Sequence, residues 1–230
     1  MHLKKLVFAA SIVLVLMPVR MAFAADDLDR VLRKLDMAAA NFHSTSAEFE
    51  FDTVTTEPIP EKDIQKGIVY YERKGSSFQM GVHNREVNSK PVPKVYVISG
   101  GVFRLYEPMI NQVTTSSKVS KYEGYLALGF GASGKDLEQK WNIKYLGPET
   151  LDGVKTEKLE LVAKDPDVLN VFPKVTIWVD PERGVSLKQI LDQGSGQYRV
   201  SFYFNIKVNQ ALPADAFTFK TDKKTVFVTR

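Results

Sequence analysis

The chain has 230 residues, 31 of them Lys or Arg against 27 Asp or Glu, is 44% hydrophobic and contains no cysteine. Lack of cysteine excludes a disulfide framework, a thiol nucleophile and a lipid-modified Cys anchor. The basic excess lies at the start: without residues 1–24, which hold Lys4, Lys5 and Arg20, 28 basic residues face 27 acidic ones. That balance argues against a nucleic-acid partner, which calls for clustered cations.

Lys4 and Lys5 precede an apolar run from Leu6 to Leu16, and a small-residue site, Ala22-Phe23-Ala24, follows. This is the anatomy of a secretory signal peptide, with cleavage expected after Ala24 and export to the periplasm. The run is short of the roughly 20 apolar residues of a membrane span. Residues 25–230 are expected to form one soluble domain.

An amphipathic helix opens that domain, with Leu28, Val31, Leu32, Leu35 and Ala39 at helical spacing behind Asp26 and Asp27. The period then drops to two. In "SAEFEFDTV", Ala47, Phe49 and Phe51 share one face and Glu48, Glu50 and Asp52 the other. "GIVYYERK" and "SFQMGVH", the latter with Phe78 and Met80 on one face, continue as strands across the turn "KGSS". Eight further runs, "KVYVIS", "VFRLY", "NIKYLG", "VKTEKLELVAK", "KVTIWVD", "VSLKQILD", "QYRVSFYFNIKV" and "KTVFVT", alternate with turns such as "DPDVLNVFP" and "DPERG". The expectation is a mostly antiparallel α+β fold: a meander of about eleven strands curled into a half-open, incomplete β-barrel, with helices covering its concave apolar face.

Between Val119 and Trp141 the pattern breaks. Tyr122, Tyr125, Leu126 and Leu128 fall at helical spacing, Phe130 follows, and "GFGASGKD" leads into a short polar helix from Ser133. The glycines mimic a nucleotide fingerprint. No strand precedes them, however, and Asp136 stands where a phosphate loop needs Ser or Thr. They read instead as a hinge, at Gly129, Gly131 and Gly134, for a lid made of Tyr122, Tyr125, Leu126, Leu128 and Phe130. His43 and His83 do not form a ligand-spaced cluster, and no nucleophile elbow is present, so nothing in the sequence calls for catalysis, a metal or another cofactor.

"ISGGVFRLYEPMINQV" resembles a segment of the LolA family of periplasmic lipoprotein carriers, with Ser99, Gly101, Tyr106, Pro108, Gln112 and Val113 at matching places. "VTIWVDPERG", "NIKVN" and "LPADAFTF" are similar to its second half, so the resemblance covers nearly all of residues 25–230. Gly100 stands where the family has Asp, and Leu105 where it has Trp. The resemblance implies a carrier or chaperone that shields the acyl chains of lipoproteins, or another lipid, working as a monomer between an inner-membrane donor and an outer-membrane acceptor. It also implies a switch arginine on the second strand, for which Arg73 and Lys74 both qualify. Phe49, Phe51, Phe78, Met80, Phe202 and Phe204 are the candidate cavity lining, large rings and a thioether being suited to acyl chains. The rivals are a lipid- or protein-sensing regulatory domain that transports nothing, and a fully packed envelope protein.

Overall fold

The computed structural model describes residues 20–75, 77–117 and 128–230. Helix α1 (Arg20–Ala40) leads into β1 (Ser44–Thr55), β2 (Glu61–Lys74), β3 (Ser77–Val87), β4 (Lys90–Ser99), β5 (Val102–Glu107), a 3-10 turn (Pro108–Ile110) and β6 (Gln112–Ser116). After α2 (Gly134–Lys140) come β7 (Trp141–Leu151), β8 (Val154–Ala163), α3 (Pro166–Val171), β9 (Lys174–Asp180), β10 (Val185–Gly194), β11 (Gln197–Val208) and β12 (Val226–Thr229).

Among the described residues these strands form one twelve-stranded sheet in the order β12-β6-β5-β4-β3-β2-β1-β11-β10-β9-β8-β7. Its edges, β12 and β7, do not meet, so the sheet stays open. Two features depart from a plain meander. β1 pairs with β11, Phe49 opposite Tyr203, so the two ends of the chain join at mid-sheet. β12 pairs in parallel with β6, Phe227 opposite Val113. β6 is a strand that alternation misses, because its sequence QVTTS carries a single large apolar residue.

The apolar stripe of α1 is buried as its spacing predicts: Val31, Leu32 and Leu35 pack with Leu137 of α2 against Leu159 and Leu161 of β8 and Val175 and Ile177 of β9. Within this half the void among Leu35, Ala132, Leu137 and Ile177 is about 10 Å³, scarcely enough for one water molecule, so it is solid core. Glu157, buried beneath α1, accepts bonds from Arg30 at 2.9 Å and the Tyr145 hydroxyl at 2.6 Å, which satisfies its charge. Burial and this bond push the Tyr145 phenol up to about 12.

The outer face is partly covered as well. After β11 the Asn209 carboxamide bonds the backbone of Asn41 and His43, tying the end of the last long strand to the end of α1. The chain then straps across β3–β5. Ala216 is fully buried, its carbonyl 3.2 Å from His83 Nε2, and Phe219 stacks on Tyr106 with ring centres 5.1 Å apart. Asp222, bonded to Asn111, delivers β12 to the edge of β6.

Candidate functional site

The inner face of β1–β3 and β11 carries a continuous chain of rings. The register places Phe49 beside Tyr203, and Tyr71 beside Met80 and Thr45, all on the face that α1 covers. Phe42, which follows α1, lies 5.7 Å from Tyr71. Tyr71 stacks on Phe78 at 5.0 Å and on Phe130 at 6.1 Å, and Phe130 meets Tyr203 edge-on at 5.0 Å. Phe51 stacks on Phe49 at 4.0 Å and closes the chain with an edge contact to Tyr203. Burial lifts the Tyr203 phenol to about 12 and raises that of Tyr96, so both stay neutral among the rings.

Burial along this face is graded. On β1, Thr45, Ala47 and Phe49 are buried, whereas Phe51 and Thr53 are half-buried; on β11, Tyr203 and Ser201 are buried and Arg199 is exposed. The gradient runs from the α1 end of the strands toward the β1–β2 turn. Met80, Tyr96, Phe103 and Leu105 continue the half-buried surface across β3–β5. Arg199 stands at the open end with its guanidinium 5.9 Å from the Phe51 ring.

Arg73 bridges the elements that close this end. Arg73 on β2 donates from Nη1 to the carbonyl of Ala39, in the last turn of α1, at 2.7 Å, and from Nη2 to the carbonyl of Gly131 at 2.6 Å, while its guanidinium lies 5.7 Å from the Phe42 ring. The first contact places positive charge at the negative end of the helix dipole. The stretch from Leu128 is also bound to the sheet. Gln189 Nε2 donates to the Leu128 carbonyl at 2.8 Å, and Gly129 and Gly131 exchange backbone bonds with Ser186 and Gly184. Ser133 caps α2 in a reciprocal box with Asp136, which accounts for the acid where a phosphate loop would have a hydroxyl.

The structure brings Phe49, Phe51, Phe78 and Met80 to one face, as alternation predicts. Phe202 and Phe204 are corrections: they oppose Glu50 and Glu48 and stand on the outer face. There Phe202 lies 5.3 Å from the Lys188 ammonium, which also sits over Trp178, and Phe204 lines a groove with Ile68, Tyr70 and Pro213. The inner positions of β10 and β11 go to Gln189 and Ser201, and Gln189 is what binds the Leu128 carbonyl. Tyr203, Tyr71, Phe42 and Tyr96 are inner-face residues that the sequence reading missed. The alternation of β1 carried across to β11 would have found Tyr203.

Of the expected lid, Leu128 and Phe130 are buried, and Tyr122, Tyr125 and Leu126 lie outside the described residues. The three glycines sit at close approaches, which corrects their reading as free hinge points. A Cβ at Gly131 would strike the Phe42 ring, one at Gly129 would meet Ser186 Cβ at 2.6 Å, and one at Gly134 would strike Leu32; Gly129 and Gly131 also have φ of +85° and +69°. Lys74 is exposed and pairs with Glu72 at 2.9 Å, so Arg73 alone touches the closing elements.

An open antiparallel sheet with a helix-covered, ring-lined inner face is the architecture of a binding domain. The chain belongs to the LolA family: residues 41–220 match the family described as outer membrane lipoprotein carrier protein LolA. Solved structures share the fold. An uncharacterized conserved protein from Thermus thermophilus aligns with a TM-score of 0.54 and 11% identity over 89% of this chain and 99% of that one. MucB aligns at 0.52 and 12% over 87% and 66%, and a chain of the Pseudomonas aeruginosa MucA/MucB complex at 0.51 and 12% over 84% and 61%. A protein of Methanocaldococcus jannaschii, itself uncharacterized, is 30% identical over 123 residues, 54% of this chain; the match spans about a third, 34%, of that protein's length.

Proposed function

We propose that this protein is a non-catalytic carrier that takes acyl chains of lipoproteins, or of another lipid, onto the inner face and shields them between membranes. The observation that carries this reading is that the ring-lined face passes from fully buried Phe49 to half-buried Phe51 along β1, and sideways to half-buried Met80 and Tyr96 on β3 and β4. It gives an apolar surface that is covered at its centre and accessible at its margins. Each methylene moved from water to such a surface gains about 0.8 kcal/mol, so a single chain of ordinary length is held firmly without a covalent bond. Arg73 then acts as the latch, holding α1 and the Gly131 loop over the rings. Residues 1–24 serve as the export signal, and the carrier works in the periplasm between an inner-membrane donor and an outer-membrane acceptor.

Phe51→Asp tests the reading. The exposed part of this side chain lets the variant fold, while a carboxylate among the rings costs several kcal/mol when acyl chains cover it. Lipid extracted from purified protein and identified by mass spectrometry should be present in the wild type and depleted in the variant. Lipid-free wild type, or equal lipid in a folded Phe51→Asp protein, overturns the proposal. The likeness to MucB supports a second reading, a sensor that binds a protein partner; retrieval of one stoichiometric protein with no lipid would favour it.

A further inference from the structure

Most large apolar side chains that the described residues leave exposed lie at one end of the sheet. Strand directions place the β1–β2 loop, the β3–β4 hairpin, the 3-10 turn after β5, α3, the β10–β11 hairpin and the start of β12 all at that end. Ile59 is 76% exposed in the first of these, Met109 71% and Ile110 62% in the 3-10 turn, and Phe227 67% on β12. Val226 of β12 and Leu169 and Val171 of α3 complete the set. This is also the end toward which burial on the inner face of β1 and β11 decreases, so the apolar fringe borders the half-buried Phe51.

The tips project from several loops around one rim, an arrangement that a soft planar phase can meet all at once. Their surroundings carry unpaired cations. Lys90, Lys174, Lys223 and Lys224 are exposed and form no ion pair among the described residues. Glu57 and Glu61 flank Ile59, and Asp165 and Asp167 stand at the start of α3, so electrostatics favours contact first at the β12 tip, beside Lys223 and Lys224. No described helix is long and apolar enough to cross a membrane, so contact through this rim would be peripheral.

We propose that this rim docks the protein on the surface of an anionic phospholipid bilayer, its apolar tips entering the headgroup layer and its lysines meeting lipid phosphates. That the docked state also exchanges cargo rests on the carrier reading; the docking does not. Sedimentation with vesicles of phosphatidylcholine containing a minority of phosphatidylglycerol tests it. The wild type should co-sediment. Ile59→Glu with Phe227→Glu should weaken partitioning by about tenfold or more, since a side chain withdrawn from an apolar phase changes affinity by about that factor. Met37→Glu, on exposed α1 at the opposite end, should leave partitioning intact, as should Phe51→Asp, which separates docking from lipid retention. Lys223→Glu with Lys224→Glu should lower it, and raised salt should do the same. Failure of the wild type to bind overturns the proposal. So does partitioning that survives the tip substitutions, or a tip variant that converts a dimer to a monomer without changing vesicle binding, which would make the rim a contact between copies. Equal binding to pure phosphatidylcholine overturns the role of the lysines.

Discussion

Arg73→Leu removes both bonds that fasten α1 and the Gly131 loop to β2 while keeping an apolar side chain over Phe42. A hydrogen bond to a charged group contributes about 1.5–3 kcal/mol, and two carbonyls lose their donor. Because the side chain is only half-buried, water recovers part of the loss. The expected cost is about 3 kcal/mol in total, or a fall in Tm of roughly 6–12 °C at about 2–4 °C per kcal/mol for a chain of this size. Arg73→Lys keeps the charge but offers no fork and reaches one carbonyl, so it should recover about half. Urea denaturation gives the magnitude and hydrogen exchange gives the location: the amides of Asn41, Phe42 and Gly131, which bond to Ala38, Ala39 and Gly184, should exchange faster than the β8–β9 core. If Arg73→Leu costs under about 0.5 kcal/mol, or exchange rises evenly over the whole sheet, Arg73 is not the latch.

Gly131→Ala should destabilise by about 2–4 kcal/mol, combining a left-handed φ with a clash at Phe42, whereas Gly153→Ala, with φ +78° and open space, should cost only about 1 kcal/mol; equal shifts in thermal scans would remove the packing argument. Stability also depends on pH through His83. Burial lowers the His83 pKa, opposed by its bond to Ala216 and by Asp215 and assisted by Arg85. The folded state therefore binds the proton less readily than the unfolded chain. His83 contributes its full stability above about pH 6.5 and loses it as pH falls through the lowered value. His83→Gln should flatten this acid-side decline, and a wild-type-minus-variant difference that stays constant between neutral and acidic pH would refute it.

The strand pattern was legible where one face alone is apolar. Ala47, Phe49 and Phe51 alternate with acids, and their side follows directly. The α1 stripe was legible for the same reason, since Val31, Leu32 and Leu35 face only Met37 as a large apolar rival on the opposite surface. β11 defeated the method because both of its faces carry rings. Val200, Phe202 and Phe204 make the more apolar row, yet the row with Ser201 and Tyr203 faces inward, and only pairing with β1 decides between them. α3 reads as a turn because Pro166 and Asp167 open its six residues behind Asp165, although Val168 is fully buried. The glycines at 129 and 131 were visible, but a glycine demanded by a neighbour's ring looks the same in sequence as one demanded by motion.

The pairing of β1 with β11 also sets the order in which the molecule can assemble. Thr45 waits for Val208, and β6 waits for β12. A chain that emerges from its N-terminus therefore presents β1–β6 as a sheet with an unclosed side and its rings in water until nearly all of it has been delivered. Contacts so distant in sequence close slowly, because the intervening loop must lose its freedom first. During that interval the uncovered rings are open to other nascent chains, and a holding factor would raise the yield of folded protein more than any stabilisation of the finished sheet.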